Sequence, residues 1–175
     1  RKAREVIRNS AVDGDGCMHF YFDPEDDMQG AAGTAEAFGF TPTPGHIEAE
    51  IIENTNVHFG NPQSGDVQRQ PYILLKFRRL VEEVRRTARE NGGDADAIQP
   101  DEDAYKHGDA PEEGKVTVVR RYWKEKGRNG RKTVWFCEMT AGAVVRGPTD
   151  TGYSRYPIAF MPWEKVKNQY HGQAA

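Results

Sequence analysis

The stretch KVTVVRRYWKEKGRNGRKTVWFCEMT (residues 115–140) decides the fold class. Its first part, KVTVVRRYW, repeats with a period of two and places Val116 and Val118 on one face, as in a strand with one buried side. A second run, RKTVWFCEMT, follows the polar loop KEKGRNGRK, whose Asn129-Gly130 pair is typical of a hairpin turn. The stretch therefore predicts an antiparallel hairpin, and the following AVVRG predicts a third strand of the same meander.

Other segments also have the composition of strands. CMHFYFD is rich in aromatic residues, and YILLKF has the apolar run of a more buried strand. YPIAFMPWEKV is apolar but contains two prolines, which favours an edge strand over a central one. HIEAEIIE alternates, and we expect one side of it to face the core. The residues of that expected inward side are Ile47, Ala49 and Ile51.

Helical periodicity marks two segments. The clearest helix is RRLVEEVRRTARENGG, which Gly92-Gly93 ends. Its apolar stripe consists of Leu80, Val81, Val84 and Ala88. A shorter helix, RKAREVIRNSAV, precedes the first strand and is broken by the turn DGDG (residues 13–16), where glycine permits positive φ. The apolar face of this helix is expected to contain Ala3, Val6 and Ile7.

The sequence thus predicts an α+β fold, mostly antiparallel sheet in a meander, with one principal amphipathic helix and long polar loops. Residues 1–175 are interpreted as a single domain or fragment, with mobile loops near residues 24–44 and 94–114, where apolar residues are few. The final WEKVKNQYHG is expected to begin a helix. Because the chain begins inside a helical segment without Met and ends after YHGQAA, we interpret it as a piece of a longer polypeptide.

The composition argues against some classes of function. The chain is 37% hydrophobic and 29% charged, with a mean hydropathy of −0.82 and a formal net charge of −3, which does not suggest a nucleic-acid-binding surface. Acidic and basic residues are nevertheless segregated into blocks, which are typical of solvated faces; the alternative is complementary patches that pair between subunits. No apolar run approaches the length of a membrane span. Two cysteines, Cys17 and Cys137, do not require a disulfide.

No catalytic motif is recognisable. Asp13 and Asp15 of DGDG are spaced like the first two ligands of a calcium loop, but Pro24 occupies the position where the loop needs Glu. The five histidines are scattered, and we expect His19 and His58 on the polar faces of their strands. Nothing resembles a phosphate-binding or dinucleotide-binding loop, so neither a cofactor nor a metal is predicted.

Two alternatives remain open. A metal-dependent nuclease could use carboxylates of neighbouring strands, although these also suit a solvated strand face. Its candidate residues are Glu48, Glu50, Glu53 and Asp66, together with Asp13 or Asp15. A nucleic-acid-binding module could use the Arg-rich helix, although intervening glutamates dilute its charge. The arginines of that surface are Arg78, Arg79, Arg85, Arg86 and Arg89, of which Arg78, Arg85, Arg86 and Arg89 are also a candidate subunit interface.

The order of several motifs resembles the portal proteins of tailed bacteriophages and prophages over nearly the whole chain. The most specific pieces are the block EIIENTNVHFGNP, the strand QPYI and the terminal YPIAFMPWEKVKNQYHG. Around them stand DGDG with HFYFD, then QRQPYILLKFRRLVEEVRR, IQPDED, KVTVVRRYW and TVWFCEMTAGAVVR. None of these motifs is catalytic.

The resemblance implies a structural role without enzymatic activity. Portal subunits assemble into a ring, usually a dodecamer, at one vertex of the capsid, and double-stranded DNA passes through it during packaging and ejection. The ring docks the terminase, which hydrolyses ATP, and also scaffold or capsid proteins and head-completion proteins. This chain would correspond chiefly to the wing region, would be assembled in the bacterial host cytoplasm, and would reside in the virion.

Overall fold

The computed structural model describes residues 1–23, 45–101, 114–127 and 130–175. In chain order, the helices and strands are α1 (Lys2–Asp13), β1 (Asp15–Asp23), β2 (His46–Ile52), β3 (Val57–Phe59), β4 (Tyr72–Leu80), α2 (Val81–Glu90), β5 (Lys115–Lys126), β6 (Lys132–Met139), β7 (Val144–Asp150), β8 (Ile158–Pro162), β9 (Glu164–Lys165) and β10 (Gly172–Gln173). Short 3₁₀ turns at Asn54–Asn56 and Val67–Arg69 precede β3 and β4.

A five-stranded antiparallel sheet of order β3-β4-β5-β6-β7 forms the centre of the molecule. The hairpin β5–β6 lies at the middle of this sheet, with Trp123 opposite Trp135, and β7 continues the meander. The predicted hairpin and third strand are therefore confirmed, as is the α+β class with mostly antiparallel sheet. Asn129 of the expected turn lies outside the described residues.

A second, three-stranded sheet of order β2-β1-β8 packs against the first. β1 lies at its centre and pairs antiparallel with both neighbours, so β8 is an edge strand, as its prolines predicted. α1 packs on β1 at Gly16, where a side chain would meet the carbonyl of Val6 within 2.6 Å. A third, two-stranded ribbon joins β9 and β10 near the end of the chain.

Two hydrophobic cores occupy different parts of the five-stranded sheet. The first lies between the two sheets and contains Cys17, Ile52, Val57, Phe59, Ile73, Leu75, Tyr122, Val134, Tyr156, Ile158 and Tyr170. The second lies beneath α2 and contains Val81, Val84, Ala88, Ala95, Ile98, Val116, Val118 and Val145. Strand β5 contributes residues of one face to both cores, with Val116 and Val118 in the second and Tyr122 in the first.

The expected inward side of β2 is wrong. Ile47 is 76% exposed, whereas Ile52, which belongs to the opposite side, is buried. The strand register explains the reversal, because Glu50 lies opposite His19 of β1 and bonds it across the inter-sheet space. A carboxylate can face inward here because distant residues supply its partners.

One element boundary, the buried face of one helix and the type of the last element also differ from the prediction. Residues 78–80 of the expected helix belong to β4, which pairs with β5 as far as Leu80 opposite Lys115. In α1 the buried residues are Val6 and Ser10, whereas Ile7 is exposed. The segment WEKVKNQYHG forms the β9–β10 ribbon and its turn instead of beginning a helix.

The expected mobile segment 94–114 is partly wrong as well. Ala95 and Ile98 are buried in the second core, and Ile98 is fully inaccessible, so the first residues of that segment pack against α2. Residues 102–113 and the expected loop 24–44 lie outside the described residues. Neither helix in the described ranges is long and apolar enough to cross a membrane.

Candidate functional site: a polar network and cleft between the sheets

A buried histidine links the two sheets. His19 of β1 is 0% exposed, and its Nδ1 lies 2.8 Å from Glu50 Oε1. Its Nε2 lies 2.8 Å from the hydroxyl of Tyr122 on β5. Since a carboxylate can only accept, Nδ1 donates to Glu50, and the tyrosine hydroxyl donates to Nε2. The sequence-based expectation that His19 lies on a polar, outward face is therefore wrong.

A buried ion pair continues this network across the five-stranded sheet. Arg120 of β5 donates from Nε and Nη2 to Glu138 Oε1 of β6, at 2.8 and 2.6 Å. Nη1 of the same guanidinium lies 3.4 Å from His19 Nε2. On the other side of Glu138, Arg146 Nε of β7 lies 3.9 Å from Oε2. The result is an Arg–Glu–Arg arrangement across three neighbouring strands.

The protonation of the network follows from this geometry. Burial lowers the pKa of His19, and the positive charge of Arg120 acts in the same direction; together they outweigh the hydrogen bond that His19 donates to Glu50, which acts to raise it. Burial also acts to raise the pKa of Glu50, but the bond with His19 and the charges of His19, Arg79 and Arg120 outweigh it, so that pKa is lowered. Burial raises the pKa of Tyr122. At neutral pH the network therefore contains a neutral imidazole between a carboxylate and a phenol.

A cleft of about 440 Å³ opens beside this network. Two arginines of its wall, Arg120 and Arg146, each stack over Phe136, at 5.4 Å from the ring centroid. Arg79 lies over Phe77 at 5.3 Å and 3.3 Å from Glu50 Oε2. The cleft is lined by Phe20, Tyr21, Phe22, Glu50, Arg79, Arg120, Tyr122, Phe136, Arg146, Thr151 and Tyr153.

Four carboxylates of the nuclease hypothesis have separate hydrogen-bond partners. Glu48 bonds Lys2 at 2.7 Å and His46 at 2.9 Å, whereas Glu50 bonds His19. Asp15 is buried and bonds His171 and the backbone of Gly172, and Asp66 caps the 3₁₀ turn before β4. Within the described ranges, no three or more His, Cys, Asp or Glu side chains could together hold a metal ion.

The arginines of the candidate interface do not form one helical surface. Arg78 lies on β4 and pairs with Asp101 at 3.6 Å. Arg85 bonds Glu82 and the carbonyl of Ile98, which fixes it against the second core. Arg86 and Arg89 are exposed on α2. A role in subunit contacts stays a prediction for these four residues.

The remaining histidines are separate from the network. His46 bonds Glu48, and His171 bonds Asp15. His58 is partly exposed between the buried Val57 and Phe59, as its strand pattern predicted. His107 lies outside the described residues. Histidines 19, 46 and 58 therefore do not combine into one site.

Sequence reasoning missed Arg120 and Glu138, although a signal was present. Arg120 has the same parity as Val116 and Val118, and in β6 Glu138 has the same parity as Val134. A charged residue at an inward position of each of two neighbouring strands indicates a buried ion pair.

Acid is expected to destabilise the protein through His19. Its folded-state pKa lies below the unfolded value of about 6.5, so the unfolded chain binds more protons between those two values. Stability is therefore fully present above about pH 6.5 and falls as the pH drops toward the folded-state pKa. Urea unfolding at pH 7.5 and 5.5 measures this difference, and His19→Gln should reduce it.

His58→Gln is the matched control for the acid effect, because burial lowers the pKa of His58 too but that residue is only partly buried. The titratable and charged groups around His19 are Glu50, Tyr122, Arg120 and Glu138, and the pKa of Glu50 is lowered, away from this pH window. A pH dependence that His19→Gln leaves unchanged would contradict the assignment.

The fold and site together define an α+β module in which a buried network of polar side chains joins two antiparallel sheets. No protein-family model matches the chain, and no curated protein matches it significantly.

Proposed function

We propose that the chain is a structural module, the wing region of a portal-ring subunit of a tailed bacteriophage or prophage, without catalytic activity. Its partners would be further copies of the subunit, the terminase, scaffold or capsid proteins and head-completion proteins. Double-stranded DNA would pass through the assembled ring. The protein would be assembled in the bacterial host cytoplasm and reside at the portal vertex of the virion.

One observation carries the proposal: the motifs most specific to the resemblance meet in space. From YHG, the hydroxyl of Tyr170 donates to the carbonyl of Val57, in EIIENTNVHFGNP, at 3.2 Å. The ring of Tyr170 stacks on Phe59 at 4.6 Å, and its backbone N–H donates to Pro62 at 3.0 Å. Gln70 of QPYI is buried and accepts from the backbone N–H of Asn61 at 2.8 Å.

These contacts support a scaffolding role for the motifs. Val57 and Phe59 are buried core residues, and Asn54 donates its side-chain amide to the carbonyl of Asp13. Asn61 forms an Asx turn with the N–H of Gln63. The polar residues of this block are thus occupied in turning the chain between the two sheets.

The charge distribution is consistent with ring assembly. In a ring, each contact between neighbours joins two different patches of the same chain, so complementary patches favour closure. Arg86 and Arg89 present exposed positive charge on α2, whereas the sequence between residues 94 and 113 is acidic. A net charge of −3 is also suited to a protein past which DNA slides, because dense phosphate contacts would hold the duplex.

Electron microscopy of the complete natural polypeptide that contains this chain tests the proposal. We expect closed rings with a central channel. The 175-residue chain alone is expected to be monomeric or weakly associated in analytical ultracentrifugation. A complete polypeptide that stays a folded monomer at high concentration would contradict the proposal, as would metal-dependent DNA cleavage by the purified protein.

A further inference from the structure

The cleft between the sheets has the size and lining of a small-ligand site. Its volume of about 440 Å³ lies within the roughly 300–1,000 Å³ of typical ligand pockets. Tyr21 and Phe136 line it. Tyr153 also lines it and is 42% exposed, so this side of the cleft is open to solvent. Such aromatic walls accept an apolar or aromatic body, while a few polar groups orient it.

The charge of the wall is unbalanced. The described residues place three guanidinium groups there, on Arg79, Arg120 and Arg146, against the two carboxylates of Glu50 and Glu138. Arg120 is bonded to Glu138, and Arg79 lies 3.3 Å from Glu50. The imidazole of His19 adds no charge at neutral pH. One positive charge is therefore left without a counter-charge of its own.

Arg146 carries this surplus charge. Its Nε is buried and has no hydrogen-bond partner among the described residues. Its ion-pair partner among the described residues, Glu138 Oε2, is 3.9 Å away, which is too far for a hydrogen bond. The side chain is 33% exposed and lines the cleft, so its other guanidinium N–H groups can meet a ligand. A hydrogen bond from these charged N–H groups to an anionic acceptor is stronger than one between neutral groups.

We propose that the cleft binds a monoanionic carboxylate attached to an aromatic body. The carboxylate accepts hydrogen bonds from Arg146, and the aromatic ring packs against Phe136 and Tyr21. A monoanion matches the single surplus cation, whereas a dianionic phosphate would leave an extra negative charge beside Glu50 and Glu138. The carboxylate could belong to a free aromatic acid or to a Phe-Glu pair in a peptide, since both offer the same two groups.

A titration of the 175-residue protein with 3-phenylpropionate, followed by amide NMR shifts at low salt, tests this proposal. We expect saturable binding tighter than about 1 mM, with the shifts concentrated on β1, β6 and β7. The neutral analogue 3-phenylpropanamide should bind at least about tenfold more weakly, because it offers no charge-assisted acceptor. Binding that does not saturate, or equal binding of the amide, would overturn the proposal.

Variants assign the contact to one residue. Arg146→Gln should weaken the binding of 3-phenylpropionate at least about tenfold, and Arg146→Lys should recover part of the affinity. Arg121→Gln is the matched control, since Arg121 lies on β5 with its side chain exposed outside the cleft lining. Equal affinities for the Arg146→Gln variant, checked for folding by circular dichroism, and the unmodified protein would refute the assignment.

A blocked peptide with a central Phe-Glu pair distinguishes the source of the ligand. Tighter binding of the peptide than of 3-phenylpropionate assigns the cleft to a segment of a partner protein. Tighter binding of the free acid assigns it to a small molecule. If neither compound binds, the proposal fails while the proposed ring function stays intact.

Discussion

Replacing Arg120 with alanine is expected to lower the free energy of unfolding by about 3–5 kcal/mol, because it leaves the buried carboxylate of Glu138 without its bonded partner. Arg146, at 3.9 Å, offers that carboxylate no hydrogen bond. Urea unfolding followed by tryptophan fluorescence measures the loss. The matched control is Arg121→Ala on the same strand, whose exposed guanidinium stacks over Tyr72 and Trp123.

The control, Arg121→Ala, should lower the free energy of unfolding by about 1 kcal/mol or less, since an exposed cation–π contact contributes about 0.5–1 kcal/mol. A second variant separates the cost of an orphaned charge from the value of the pair. Arg120→Met combined with Glu138→Leu removes both charges, and we expect most of the lost stability to return. Equal losses for Arg120→Ala and Arg121→Ala would show that the buried pair has no special importance.

Tyr170→Ala is expected to lower the free energy of unfolding by about 3–5 kcal/mol, the range for truncating a buried aromatic side chain. Tyr170 is 8% exposed, belongs to the core between the sheets, and stacks on Phe59. Tyr170→Phe, which removes only the hydroxyl bonded to Val57, should cost about 1 kcal/mol. Chemical unfolding followed by circular dichroism measures both losses.

Tyr153→Ala provides the comparison, because Tyr153 is 42% exposed and lies at the rim of the cleft. We expect this substitution to cost about 1 kcal/mol or less. If Tyr170→Ala cost no more than Tyr153→Ala, the terminal YHG segment would not be part of the core. The convergence of motifs that supports the proposed function would then lose its physical basis.

Strand periodicity predicted the meander because the alternation of apolar residues lies within each strand and does not depend on distant parts of the chain. Val116 and Val118 identify the buried face of β5, and the apolar run after the polar loop identifies its neighbour β6. The register beyond the hairpin could not be predicted, since β4 continues to Leu80 only because Lys115 pairs with it across a long connection. The helical pattern of Val81, Val84 and Ala88 was correct, but its first residue depends on that pairing.

The candidate site was predictable only in part. Arg120 and Glu138 stand at inward strand positions, which the sequence displays. The inward side of β2 was misassigned because aliphatic residues normally face the core, and Glu50 gains its partners from β1 and β4. No local pattern carries information about such partners. The cleft itself depends on how two sheets pack, so its lining of arginines and aromatic rings could not be read from spacing.

Strand β5 has a mechanical consequence. It runs through both hydrophobic cores and is flanked by β4 and β6, with hydrogen-bonded neighbours along most of its length. A load applied at α2 therefore passes into β5 and is carried as shear by many backbone hydrogen bonds in parallel. Because β5 contributes Val116 and Val118 to one core and Tyr122 to the other, we expect the two cores to respond to such a load together.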